Sequence, residues 1–62
     1  MPIISVEGPK VEDINKKREF IADVTKVAAD FFEMPQESII VLLKENEPQN
    51  VGVGGKLIAD KK

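Results

Sequence analysis

The residue with the clearest potential for chemistry is Pro2, which directly follows the initiator methionine. If Met1 is removed, Pro2 carries a free secondary amine at the head of an apolar segment. An α-amino group titrates near neutrality, with an ordinary pKa of about 7.7–8.0, and burial among apolar side chains disfavours its cation. An uncharged amine can take a proton from a carbon beside a carbonyl group, and general base catalysis contributes roughly 10²–10⁴-fold. We therefore predict that Pro2 is a general base.

Several other kinds of catalytic or cofactor site are excluded or poorly matched. The chain has no cysteine and no histidine, which excludes disulfides, thiolate sites and Ser-His or Cys-His catalysis. The glycine-rich segment Gly52–Lys56 looks like a phosphate-binding loop, but that pattern requires glycine at Asn50 and serine or threonine at Leu57. A hairpin turn explains the segment better. We expect no metal ion and no cofactor.

Lysines supply the positive charge that an anionic substrate would need. Lys10 follows a Gly8-Pro9 turn, at the edge where parallel strands of a β-α-β unit present their ligands. The basic run Lys16–Arg18 lies within a predicted helix, and a solvated surface is the alternative interpretation of all these charges. Glu45 and Glu47 are assigned to a flexible polar loop, where we do not expect acid or base catalysis.

The spacing of apolar residues predicts an α/β chain: a β-α-β unit followed by a short hairpin. Residues 2–6 form an apolar strand, and residues 38–44 contain five consecutive apolar residues, typical of a strand buried on both faces. The helix that we predict between them, over residues 13–32, indicates a right-handed parallel crossover. Gly54-Gly55 suits the tight turn of a hairpin over residues 51–58.

The predicted helix is amphipathic and should end before Pro35, because proline disfavours helical geometry at the residue that precedes it. Its apolar positions follow approximately the i, i+3, i+4, i+7 pattern. The residues expected on this apolar stripe are Ile14, Phe20, Ile21, Val24, Val27, Ala28 and Phe31.

The size of the chain predicts association. Its 62 residues form one predicted domain, residues 1–62, and a domain of this size buries only about 60% of its unfolded surface. Hydrophobic residues nevertheless make up 42% of the sequence. One helix also covers only one face of a two-stranded sheet. We therefore expect an obligate homo-oligomer that shares its core between subunits.

Charge and hydropathy argue against several partners. The net charge is −2, the lysines are scattered, and the three aromatic residues are all phenylalanine, so neither a phosphate-binding patch nor a base-stacking platform is expected. No secretory signal is recognisable, and no apolar run approaches the roughly 20 residues that cross a bilayer. We expect no nucleic acid partner, no membrane and a cytoplasmic location.

Together these features resemble the 4-oxalocrotonate tautomerase family over essentially the whole chain. The similarity rests on Pro2 heading an apolar strand, the Glu7-Gly8 turn, one long helix, Pro35 shortly before the second strand, and the late glycine-rich motif Val51–Gly55. The stretches that are similar to the DmpI-type branch are Gly8–Lys10, Lys17–Phe20 and Asn50–Ile58.

The resemblance implies a tautomerase/MIF-like β-α-β subunit that assembles as a hexamer, a trimer of dimers. It also implies a cofactor-free isomerase in which Pro2 is the general base for keto–enol or double-bond tautomerisation of 2-oxo acids, which are small-molecule substrates.

Three further site residues come from matching the motifs of the family. Family members place an arginine just after the turn of the first strand, where this chain has Pro9-Lys10. A second arginine, from a neighbouring subunit, matches Ile40, and an aromatic ring near the hairpin matches Val51. Lys10, Ile40 and Val51 are therefore the predicted substrate-binding residues. Because the arginines are missing, we expect a smaller or less charged enolisable carbonyl compound than a dicarboxylate.

Two alternatives stay open. A protonated Pro2 would act as an acid and support a lyase or dehalogenase, which a pH–rate profile separates from a base. A catalytically inactive assembly module, in which Pro2 is vestigial, is the non-enzymatic alternative.

Overall fold

The computed structural model describes residues 1–60 and shows a parallel pair of strands, one helix packed on it and a small antiparallel hairpin. In chain order, the main elements are β1 Ile3–Gly8, α1 Ile14–Phe32, β2 Ile40–Glu45, β3 Gly52–Val53 and β4 Lys56–Leu57. Single 3₁₀ turns cover Gln36–Ser38, Pro48–Asn50 and Ile58–Asp60. The predicted β-α-β arrangement with a C-terminal hairpin is confirmed. The predicted domain over residues 1–62 includes Lys61 and Lys62, which lie outside the described residues.

β1 and β2 pair in parallel register from Ile3 beside Ile40 to Gly8 beside Glu45. β1 therefore continues through Gly8, where the sequence predicts a turn, because Gly8 still takes part in the ladder. Exposed and partly buried residues alternate along both strands, since successive side chains point to opposite faces. The face away from α1 leaves three apolar side chains exposed, those of Ile3, Ile40 and Leu42. Within one chain, β2 is therefore covered on one face only, which leaves its second face to a surface outside the chain, as its sequence predicts.

The ends of α1 are set by its caps. Asp13 is the N-cap, and its Oδ1 accepts hydrogen bonds from the backbone N–H groups of Asn15 at 2.9 Å and Lys16 at 3.4 Å, groups that have no partner inside the helix. At the other end, Glu33 adopts the left-handed conformation with φ 54°. The helix therefore ends before Pro35, as predicted.

α1 presents two apolar stripes, and the sequence does not separate them. Ala28 and Ala29 are the buried residues among those described, with exposed fractions of 7% and 8%. Four positions of the predicted stripe are exposed instead: Ile14, Phe20, Val27 and Phe31. At about 100° per residue, Val27 and Phe31 lie on the same side of the helix as Phe20, beside the stripe that meets the sheet. Within residues 1–60, no helix combines the length and apolar character needed to cross a bilayer.

The hairpin turns on two glycines. Gly54 and Gly55 have φ values of 62° and 84°, in a region of backbone conformation that residues other than glycine rarely adopt. The two glycines join β3 to β4 in the antiparallel pair. The hairpin is held to the preceding loop by a hydrogen bond of 2.9 Å from the N–H of Ile58 to the carbonyl of Val51.

Candidate functional site

Pro2 lies at the edge of the sheet where both parallel strands begin, which we call the amino edge. It directly precedes β1, it is partly buried, and its carbonyl oxygen accepts a hydrogen bond of 3.0 Å from the N–H of Ile40. Ile40 is the first residue of β2, so this hydrogen bond holds the starts of the two strands together. Met1 is 84% exposed and is accessible for removal. Pro2 and Ile40, two of the predicted site residues, are therefore neighbours.

Lys10 lies at the opposite edge, just beyond the point where β1 ends at Gly8, which we call the carboxyl edge. Its Nζ is 3.7 Å from Glu12 Oε2, and both side chains are more than half exposed. An exposed pair of this kind contributes little, about 0–1 kcal/mol. Another anionic group can therefore compete with Glu12 for the ammonium group.

Val51 also lies at the carboxyl edge, where it lines a cavity of about 400 Å³. The cavity is bounded by the end of β1 and by the segment that connects β2 to the hairpin. The residues that line it are Glu7, Gly8, Pro9, Asn46, Pro48, Val51 and Ile58. The hydrogen bond from the Ile58 N–H to the Val51 carbonyl joins the two residues that flank the hairpin, and both of them line this cavity.

The four predicted site residues therefore form two pairs within one chain. Pro2 and Ile40 lie at the amino edge, whereas Lys10 and Val51 lie at the carboxyl edge. The six residues of β1 separate the two edges, which at 3.3 Å per residue is about 20 Å. A small molecule cannot reach across this distance, so one chain does not bring all four residues together.

Two residues that the sequence did not single out for this edge are Glu45 and Lys17. Glu45 is the last residue of β2 and not part of a flexible loop, because it pairs with Gly8 in the ladder. Its Oε1 accepts a hydrogen bond of 2.9 Å from Lys17 Nζ, and its Oε2 accepts one of 2.6 Å from the N–H of Val11. Lys17, predicted as part of a surface run, is thus paired with a carboxylate. The alternation along β2 could have predicted this position of Glu45, because Val41, Leu43 and Glu45 lie on the same face of the strand, the face toward α1.

The surroundings of Glu45 favour its charged form. The pKa of Glu45 lies below the ordinary value of 4.5, chiefly because the Val11 N–H donates to the carboxylate and next because the Lys17 ammonium does. Partial desolvation acts in the opposite direction, and the positive charge of Lys10 adds a smaller lowering. The carboxylate of Glu45 therefore lies in the field of two ammonium groups, that of Lys17 in direct contact and that of Lys10 without a direct contact.

The described residues do not offer an arrangement typical of a metal site. Within residues 1–60, no three carboxylate side chains lie close enough together to hold a metal ion.

Nearly the whole chain is similar to proteins of one family. The family model described as Tautomerase enzyme matches residues 2–61. A probable tautomerase of Listeria monocytogenes serotype 4b is 31% identical over 55 residues, which covers 89% of this chain and 90% of that protein.

Solved structures share the same fold. The crystal structure of DmpI from Archaeoglobus fulgidus is 51% identical, with a TM-score of 0.86, and the match covers 95% of this chain and 100% of that one. A crystal structure of a 4-oxalocrotonate tautomerase homologue is 29% identical with a TM-score of 0.88, covering 100% of this chain and 98% of the other.

Proposed function

The chain belongs to the tautomerase family, and from that premise we propose that it is a cofactor-independent isomerase that tautomerises a 2-oxo acid or a related enolisable carbonyl compound. Pro2 is the general base once Met1 has been removed. The observation that carries this proposal is the position of Pro2, partly buried at the head of β1 and next to the exposed Met1.

The chemistry needs only one group that alternately accepts and releases a proton. The Pro2 nitrogen takes a proton from the carbon beside the substrate carbonyl, so that a C–H bond breaks, an N–H bond forms and the electron pair moves toward the carbonyl oxygen. Return of the proton to the oxygen or to a more distant carbon completes the isomerisation. Partial burial disfavours the cationic form of the amine between turnovers.

The complete site requires a second copy of the chain. A neighbouring copy that packs on the exposed sheet face can bring its carboxyl edge, with its own Lys10 and Val51, to the Pro2 of the first. The exposed Ile3, Ile40 and Leu42 supply an apolar surface for this contact. A homo-oligomer follows from this arrangement, and the family resemblance implies a hexamer for it. The cytoplasmic location stays a prediction.

The decisive test compares three proteins for ketonisation of a simple 2-oxo acid: the mature chain that begins with Pro2, the mature Pro2→Ala chain, and the chain that retains Met1. We expect both altered chains to lose activity by at least about 10²-fold. Pro2→Ala replaces the rigid secondary amine with a primary amine, and retained Met1 converts the same nitrogen into an amide without changing any side chain of residues 2–62.

The number of chains per assembly and the circular dichroism spectrum must be the same for the three proteins, so that lost activity reports on the nitrogen alone. Equal rates for all three would remove Pro2 from the mechanism. Absence of activity in the mature chain toward every enolisable acid tested would favour the inactive assembly module.

A further inference from the structure

Glu45 connects three parts of the chain through one carboxylate. It ends β2, its Oε1 accepts from Lys17 on α1, and its Oε2 accepts from the backbone of Val11 in the segment between β1 and α1. The Glu45 and Lys17 side chains are only 23% and 26% exposed. Because both oxygens already have partners inside the chain, this carboxylate is poorly placed to act on a substrate directly.

The segment that Glu45 holds is otherwise weakly attached. Residues 9–12 have no regular structure and are exposed. Across the described residues 1–60, the bond from Val11 to Glu45 is the side-chain hydrogen bond that joins this segment to β2. Lys10 directly precedes Val11, so their Cα atoms lie about 3.8 Å apart. Fixing the N–H of Val11 therefore fixes the backbone from which the Lys10 ammonium extends.

The same segment separates two cavities. Gly8 and Pro9 line both the 400 Å³ cavity beside Val51 and a second cavity of about 280 Å³ between the segment and α1. The residues that line the second cavity include Val11 and Lys17, which are the two hydrogen-bond donors to Glu45. Loss of the hydrogen bond between Val11 and Glu45 would therefore move Lys10 together with the part of the cavity walls that Pro9 forms.

We propose that Glu45 is a positioning residue that holds the Val11 backbone and thereby sets the place of the Lys10 ammonium for the carboxylate of the substrate. This inference rests on the proposed function, because it assumes that Lys10 binds the anionic end of a 2-oxo acid. Lys17 neutralises Glu45, and the exposed Glu12, 3.7 Å from the Lys10 ammonium, is a partner that a substrate carboxylate can displace. Glu45 itself touches neither the substrate nor the reacting carbon.

The test uses the mature chain with the substitutions Glu45→Ala and Glu45→Gln, and Glu47→Ala as the matched control. Glu47 is an exposed carboxylate two residues away whose side chain makes no hydrogen bond or ion pair within residues 1–60. Its removal changes the net charge by the same amount without touching Val11 or Lys17. The glutamine variant keeps an oxygen that can accept from Val11 but removes the charge.

The measurements are kcat and KM for a 2-oxo acid and for its uncharged methyl ester, together with the dissociation constant of the acid from NMR titration of the Lys10 and Val11 signals. For Glu45→Ala we expect KM and the dissociation constant of the acid to rise about tenfold, as one hydrogen bond to a charged group is lost. We expect kcat to change less than about twofold, because the base at Pro2 is unaltered. Glu45→Gln should raise KM and the dissociation constant of the acid by an intermediate amount. The KM of the ester should be the same in both variants as in the wild type.

Other outcomes overturn the inference. If Glu45→Ala binds the acid as Glu47→Ala does, or if kcat falls equally for acid and ester, Glu45 does not position Lys10. A mature wild-type chain that shows no shift at Lys10 with the acid also refutes it. Binding at Lys10 without any isomerisation would contradict the proposed function alone, whereas Pro2-dependent isomerisation with an unaffected Glu45→Ala variant would contradict this inference alone.

Discussion

At Pro2, the proposed chemistry depends on one covalent bond, the peptide bond to Met1. While that bond is intact, the nitrogen shares its lone pair with the carbonyl group and cannot accept a proton. After its cleavage, the same nitrogen is a secondary amine held at the head of β1 by the hydrogen bond between Ile40 and the Pro2 carbonyl. The position is thus set by the strand, and the reactivity by removal of one exposed residue.

The glycines of the hairpin allow a second prediction at the scale of single residues. Gly55 has a φ of 84°, and a Cβ there would meet no atom within 4 Å, so its substitution introduces backbone strain without a steric clash. We expect Gly55→Ala to lower the free energy of unfolding by about 1–2 kcal/mol, measured by urea denaturation at one chain concentration.

Gly52→Ala is the matched control, because Gly52 lies in the same hairpin, has no positive φ, and offers its Cβ only an ordinary contact at 3.7 Å. Equal stability of the two variants would show that the left-handed turn is not required.

At the scale of elements, the carboxyl end of β2 holds the connection between β1 and α1 in place. The pKa of Glu45 is lowered, chiefly by the Val11 N–H and then by Lys17. A carboxylate with a lowered pKa stabilises the folded state fully above its ordinary value of 4.5, and this stabilisation is lost as the pH falls through the folded-state value. The connection should therefore loosen in acid.

We predict that the free energy of unfolding of the wild-type chain decreases below about pH 4.5 and that Glu45→Gln makes this decrease shallower. Chemical denaturation at a series of pH values measures the slope, and amide hydrogen exchange at Val11 reports the local loosening. Glu47→Gln should keep the wild-type slope. An unchanged slope in Glu45→Gln would mean that the carboxylate contributes nothing to the pH dependence.

At the scale of the whole molecule, one chain is too open to be the functional unit. A compact protein of its mass of 6.9 kDa exposes about 4,000 Å², whereas this chain exposes 5158 Å². Its radius of gyration is 14.8 Å, compared with about 11 Å for a compact domain of this length. The excess surface includes the apolar sheet face and the stripe of Phe20, Val27 and Phe31, which need a covering partner.

We predict that Leu42→Lys disrupts the assembly, because it places a charge in the middle of the exposed apolar sheet face, where Leu42 is 44% exposed in one chain. Light scattering after size exclusion should show the mass of one chain or an unfolded protein, whereas the wild type shows a multiple. Gln49→Lys adds the same charge at an exposed polar position and should leave the assembly intact. A Leu42→Lys protein with the wild-type mass and stability would exclude this face as an interface.

Much of the subunit was determined by the sequence alone, because its signals are local. The five-residue apolar run predicts β2, Pro35 predicts the end of the helix, and Gly54-Gly55 predicts the hairpin turn. Each of these depends on backbone preferences or on neighbours within a few residues. Pro2 as a candidate base is local in the same sense, since its chemistry depends on being second in the chain.

Only the tertiary structure decided which residues meet. Periodicity does not tell which of two apolar stripes of α1 faces the sheet, because both are apolar and burial depends on the partner surface. The pairing of Glu45 with Lys17 and Val11 joins residues that are far apart in sequence and depends on the parallel register. The separation of Pro2 from Lys10 has a related origin, since an extended strand keeps the residue before it and the residues after it at opposite edges of the sheet.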